Sequence, residues 1–144
     1  MKIIIISMIV SFLIGCSSQP TINRTIEFRH FLWSFFNNEE FQKSHVVFPL
    51  EFVYYKYDEK EYDFVLAKKY ISKGNWKPYS GPEYYRCKTS CFDLVMYDNF
   101  ERQHKNSNER VLSFEGVHNG IFSSLYFKRI RGEWYLVKHE DFDN

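Results

Sequence analysis

Residues 25–36 read Thr25-Ile26-Glu27-Phe28-Arg29-His30-Phe31-Leu32-Trp33-Ser34-Phe35-Phe36, and their apolar members recur at helical spacing. Phe28, Phe31, Leu32, Phe35 and Phe36 stand at i, i+3, i+4, i+7 and i+8, one wide apolar stripe. Glu27, His30 and Ser34 fall on the other side. Thr25 is placed to cap the start, and Glu27 puts negative charge in the first turn, where the helix dipole favours it. Asn37-Asn38 ends this helix and opens a second, short one over Glu39 to Ser44.

From His45 onward the period changes from helical to strand-like. Val46-Val47-Phe48 is a β-rich run, and Pro49 after it predicts an edge position or a bend. Glu51 to Tyr57 is a strand, and Asp58-Glu59-Lys60-Glu61 is a turn. For Tyr62 to Ile71, strand and helix both stand. Ser72-Lys73-Gly74-Asn75 is a turn before Trp76, and residues 77–83, with Pro78, Gly81 and Pro82, are a loop. Tyr84 to Tyr97 reads as a hairpin. Asn99 to Glu109 is the most polar stretch and is expected to be a mobile loop. Arg110 to Val117, Ile121 to Ile130 and Glu133 to His139 are the strongest strand runs. His118-Asn119-Gly120 and Arg131-Gly132 supply tight turns between them. The expectation is an α+β domain with N-terminal helices packed on a curved antiparallel sheet.

The 15 Phe, 11 Tyr and 3 Trp suit such a sheet, because aromatic rings favour strands and bury large areas. Core packing and an aromatic-lined pocket both explain the enrichment. Charge is balanced: 19 basic and 18 acidic side chains in the whole chain, 18 of each once Lys2 is set aside. This gives no electrostatic footprint for nucleic acid and no polybasic membrane-surface helix.

The first residues carry a different signal. Lys2 precedes the apolar run Ile3 to Ile14, which closes on Leu13-Ile14-Gly15-Cys16. The run is short for a membrane span and lacks a basic stop signal. An aliphatic residue, a tolerant position, a small residue and Cys resemble the lipobox of bacterial lipoproteins. The resemblance implies cleavage after Gly15 and a diacylglycerol on the Cys16 thiol. The expected organisation is a signal peptide over 1–15, a lipidated Cys and tether over 16–24, and one domain over 25–144. Localisation follows: lipid-anchored in the bacterial cell envelope, at the outer membrane facing the periplasm if the host has two membranes. An exported chain meets oxidising conditions, so Cys87 and Cys91, with three residues between them, are expected to pair as a disulfide worth roughly 2 kcal/mol. Free or redox-active thiols are the alternative.

Phe31 to Leu50 (Phe-Leu-Trp-Ser-Phe-Phe-Asn-Asn-Glu-Glu-Phe-Gln-Lys-Ser-His-Val-Val-Phe-Pro-Leu) resembles the opening of a bacterial lipoprotein family of unknown function. Ile71 to Trp76 resembles that family's Trp-containing turn. Phe127-x-Arg-Ile-Arg-Gly-Glu-Trp-Tyr-Leu-Val resembles the closing hairpin of the nuclear-transport-factor-2-like superfamily. These resemblances imply a cone-shaped sheet with helices over its concave face and a pocket at the open end. They imply no activity, since fold does not fix function.

Three readings of function stand. The first is a non-enzymatic accessory module binding a small amphipathic ligand in an aromatic pocket between the first helix and the sheet. Trp33, Gln42, His45 and Asp93 are the candidate pocket residues. The second is a pocket enzyme of isomerase or dehydratase type, which needs a buried Asp or His. Its candidates by residue type are His45, Asp93, His118 and His139, and none earns a catalytic assignment. The turn and terminal histidines are expected to be solvated, and Asp93 to sit on the solvent face of an alternating strand. The third is an inhibitor or immunity module with an envelope protein partner. Ser80-Gly81-Pro82-Glu83-Tyr84 resembles the cleft-inserting segment of periplasmic lysozyme-inhibitor lipoproteins, with Tyr84 as its anchor. No nucleophile elbow, metalloprotease helix, phosphate loop or dinucleotide glycine pattern occurs, and no cofactor or metal is expected.

Overall fold

A computed structural model describes residues 24–79, 92–118 and 120–142. The expected signal peptide, Cys16, the expected Cys87–Cys91 disulfide and the Ser80 to Tyr84 segment lie outside the described residues. Among those described, two helices precede six strands: α1 (Arg24–Asn37), α2 (Glu39–Ser44), β1 (Val46–Asp58), β2 (Asp63–Ile71), β3 (Phe92–Tyr97), β4 (Glu109–Gly116), β5 (Phe122–Ile130) and β6 (Glu133–Phe142). Asn38 starts α2 as its pattern predicts, its side-chain oxygen accepting from the Phe41 N–H at 2.9 Å.

The strands form one sheet in the order β2-β1-β6-β5-β4-β3. It is mixed, not antiparallel throughout: β1 and β6 run parallel, and every other pair is antiparallel. A strict meander would set β2 beside β3. Instead the chain crosses from one edge of the sheet to the other between them. The first and last strands then meet in the middle, pointing the same way. Residues 63–71, undecided between helix and strand, are β2. Pro49 lies within an interior strand, not at an edge. The β1–β6 pairing shifts register between Val46 and Glu51, where the missing proline N–H is accommodated. Arg131 and Gly132 turn β5 into β6 with φ of 52° and 94°, the left-handed geometry of a tight hairpin.

The stripe on α1 builds the core. Phe28, Phe31, Phe35 and Phe36 are buried, and Phe28 meets Phe127 at 5.3 Å and Trp134 at 4.9 Å between ring centroids, edge to face. Phe35 meets Phe127 at 5.3 Å. Leu50, Leu112, Phe114, Leu125 and Leu136 extend this cluster across the sheet. Interlocked rings therefore fill the space between this stretch of the first helix and the sheet. The polar loop from Asp98 to Asn108 is held by its own hydrogen bonds and by Arg110, which is fully buried. Arg110 donates to the carbonyls of Asp98, Ser107 and Glu109 at 3.1, 2.9 and 2.6 Å. Asn99, expected in a mobile segment, is buried and accepts from the Gln103 N–H.

Candidate functional site

α1 covers one end of the concave face, and the other end is organised around His139. A bulge places that side chain. In the β5–β6 pair Phe127 lies opposite Leu136, but Tyr126 lies opposite Lys138, so Val137 is the extra residue. Beyond the bulge Leu125 faces His139 and Ser123 faces Asp141. Opposed residues point to the same side of a sheet, so the bulge turns His139 and Asp141 inward, where strict alternation from Leu136 would have turned Lys138 and Glu140.

His139 is 8 % exposed. Its Nδ1 lies 3.0 Å from the Tyr79 hydroxyl and its Nε2 3.0 Å from the Ser123 hydroxyl. Phe52, opposite on β1, meets the imidazole edge to face at 4.7 Å, and Tyr79 does so at 5.2 Å. Burial among these groups pushes the His139 pKa down to about 4, with a smaller opposing pull from Glu140. The ring is neutral at pH 7, so one nitrogen donates to one hydroxyl and the other accepts from the second. Phe52 and Tyr54 are half-buried and form the outward wall. The Lys69 ammonium lies over both, 4.7 and 5.0 Å from their ring centres.

Gln42 supports this cluster from behind. Its Oε1 accepts from the Tyr79 N–H at 2.6 Å, and its Nε2 donates to the carbonyls of Tyr79 and Phe35 at 3.0 and 2.7 Å. It is 1 % exposed. Its amide clamps the segment carrying Tyr79 to the end of α1, and is not a handle for a ligand.

The other candidate residues lie elsewhere. Trp33 is 71 % exposed and borders an apolar cavity of about 130 Å³ between α1 and the β3–β4 side of the sheet, with Leu32, Phe36, Leu94 and Leu112. It falls off the apolar stripe of α1, which is why the sheet does not cover it. His45 stacks on Phe41 at 3.9 Å, and its Nδ1 donates to the Phe41 carbonyl at 2.8 Å. It helps line an open depression of about 320 Å³ with Glu27, His30, Ser34 and Glu133. Asp93 is exposed on β3, opposite Glu115. The structure therefore does not bring Trp33, Gln42, His45 and Asp93 together. His118 is exposed at a turn with φ of 60°. His139, expected to be solvated, is the buried one. No group of His, Cys, Asp and Glu suited to a metal occurs among the described residues.

The outer face carries a second polar cluster. The Tyr126 hydroxyl donates to Glu140 at 2.5 Å, Lys138 lies 2.8 Å from the same carboxylate, and Arg102 reaches Tyr126 and Ser124 at 3.3 and 3.4 Å. Burial and the Glu140 hydrogen bond raise the Tyr126 pKa. These groups satisfy one another and fasten the 98–108 loop to the sheet.

Two solved structures are similar to this architecture. An NTF2-like protein from Bacteroides fragilis matches with a TM-score of 0.53 and 22 % identity over 79 % of this chain, and the chain spans 46 % of that protein's length. An NTF2-like protein from Cytophaga hutchinsonii matches at 0.40 with 11 % identity, covering 85 % of this chain and 98 % of the other. The first likeness shows the fold: two helices on a curved, mixed, six-stranded sheet. No curated protein matches the chain. Residues 23–141 match the model of a domain of unknown function, DUF4348, and the chain belongs to that family.

Proposed function

We propose that this chain is an envelope lipoprotein, anchored through Cys16, whose domain binds a small amphipathic ligand at the open end of its curved sheet. The observation that carries the reading is the His139 cluster: a neutral imidazole held by two hydroxyls behind an aromatic wall. Apolar walls with a few fixed polar groups are what small-molecule sites are made of. Phe52 and Tyr54 supply the apolar surface, and Lys69 on the rim supplies a charge for the polar end of the ligand.

Binding fits this cluster better than catalysis. A general base works best with a pKa near the operating pH. His139 sits at about 4, and both of its ring nitrogens already have partners. A pocket enzyme of the isomerase or dehydratase kind would need that ring freed.

The test is native mass spectrometry of the chain purified from its own envelope. The expected result is a co-purifying small molecule that is lost from Tyr54→Ala and from Lys69→Ala. An adduct unchanged in both variants would refute the site. The anchor is tested separately with Cys16→Ser, which should abolish incorporation of labelled palmitate and release the chain from the membrane fraction.

A further inference from the structure

β2 has one strand neighbour among the described residues, β1, so its other edge presents a row of backbone donors and acceptors. Edge strands are usually short, or covered by charge. β2 is nine residues long and displays large apolar side chains: Phe64 is 59 % exposed, Leu66 64 % and Tyr70 61 %, with Tyr62 beside them at 82 %. The three strand residues share one face with Lys68, at even spacing in sequence.

The two ends of this hairpin differ in net charge, although Glu51 pairs with Lys68 at 3.2 Å at the basic end and Lys56 lies towards the acidic one. Asp58, Glu59, Glu61 and Asp63 gather at the β1–β2 turn, with Lys60 alone among them. Lys68, Lys69 and Lys73 gather at the other end of β2. A strand that is acidic at one end and basic at the other complements its own copy when the two run antiparallel. We infer that the outer edge of β2 is a self-pairing interface, at which a second copy of this chain docks antiparallel about a two-fold axis at Leu66.

That register follows from the sequence of the edge. With Leu66 opposite its own copy, Asp63 meets Lys69 of the second copy, and Tyr62, just before the strand, comes level with its Tyr70. Each contact occurs twice, as an isologous interface requires. Placing the axis one residue later removes the Asp63–Lys69 pair. An anionic membrane surface is a poorer occupant, because the acidic turn would be driven against it. A single strand edge is a small contact, so the dimer is weak and salt-sensitive, and is best trapped covalently.

The experiment is oxidative cross-linking of the full-length chain in membranes with copper phenanthroline, resolved on non-reducing gels against the parent chain. Directly opposed residues of an antiparallel pair lie about 5 Å apart between Cα atoms, within disulfide reach. Leu66→Cys should give a band at twice the parent mass. Phe64→Cys should not, because its copy would lie about 14 Å away. Within the Leu66→Cys chain, Asp63→Lys or Lys69→Asp should each reduce the dimer band several-fold, and the two together should restore it. Both positions are exposed, so the variants are expected to fold. A Leu66→Cys chain that stays monomeric would overturn the inference, as would Phe64→Cys cross-linking equally well. Flotation of Cys16→Ser protein on anionic vesicles, lost on Leu66→Lys and without any cross-link in the Leu66→Cys chain, would assign the face to a membrane instead.

Discussion

His139 makes the stability of this domain depend on pH in a specific window. The folded imidazole has a pKa of about 4 against an ordinary value of 6.5. Above pH 6.5 both folded and unfolded states hold it neutral, and it adds no pH dependence. Between 6.5 and 4 the unfolded chain takes up a proton that the folded chain refuses. Stability therefore falls as the pH falls, by up to about 1.4 kcal/mol per pH unit, and the loss stops below pH 4. Across the window the loss is about 3 kcal/mol, a large fraction of a small domain's stability. The assay is urea denaturation of the wild type and His139→Gln at pH 7.5, 5.5 and 4.0. Carboxylates and the other histidines titrate in both proteins and cancel in the difference. At pH 7.5 the variant should be the weaker protein, because it loses a hydrogen-bonded ring. By pH 4.0 the wild type should have lost about 3 kcal/mol more than the variant. The His139 Cε1–H resonance should titrate with a midpoint below 5. Parallel stability curves, or a midpoint near 6.5, would refute the claim that this ring is buried and neutral.

The core and the clamp give two further expectations. Phe28→Ala should cost about 3–5 kcal/mol in the same denaturation assay, because Phe28 is fully buried between Phe127 and Trp134. Trp33→Ala, on the exposed side of the same helix, should change stability by no more than about 0.5 kcal/mol. Gln42→Leu should cost about 1–3 kcal/mol, since it strands the Tyr79 N–H and two carbonyls. It should also raise hydrogen exchange at Tyr79, and unchanged exchange there would show that the clamp does not hold this segment.

The helices were legible because their signal is local. The 28-31-32-35-36 spacing fixes which face of α1 is buried, and Asn38 fixes where α2 begins. That same spacing already set Trp33 off the stripe, yet residue type alone made it a pocket candidate. The C-terminal strands were legible for the same reason, down to the Arg131-Gly132 turn. What a single strand does not reveal is its neighbour. The parallel β1–β6 pair joins residues about ninety positions apart, and no periodicity carries that information. The His139 cluster was missed at one residue. Alternation from Trp134 and Leu136 puts Lys138 and Glu140 inside and His139 outside. The Val137 bulge reverses this, and a bulge is set by the partner strand, not by the residues that flank it. Gln42 was a pocket candidate, and the structure uses its amide as a clamp. Its partner lies 37 residues away, so its role as a clamp became visible only in three dimensions.

The two ends of the concave face differ in what they contribute to folding. Under α1, Phe28, Phe31, Phe35, Phe127 and Trp134 exclude water and stabilise the domain directly. Around His139 the neighbours are equally apolar, with Leu125 opposite on one side and Phe52 on the other, yet the chain keeps an imidazole and a hydroxyl there. A hydrogen-bonded polar group adds about 1 kcal/mol net at best, and replacing both partners with apolar groups of similar shape is often neutral or stabilising. If the cluster serves packing alone, Tyr79→Phe with Ser123→Ala and His139→Leu should behave like any conservative core change, with nothing lost but the acid sensitivity. If it serves a ligand, the same triple variant should remain folded and become more stable than the wild type at pH 4, while its co-purifying molecule disappears. Both measurements come from one protein preparation. A stable triple variant that still carries its ligand would separate His139 from binding and move the polar contact to the Lys69 rim.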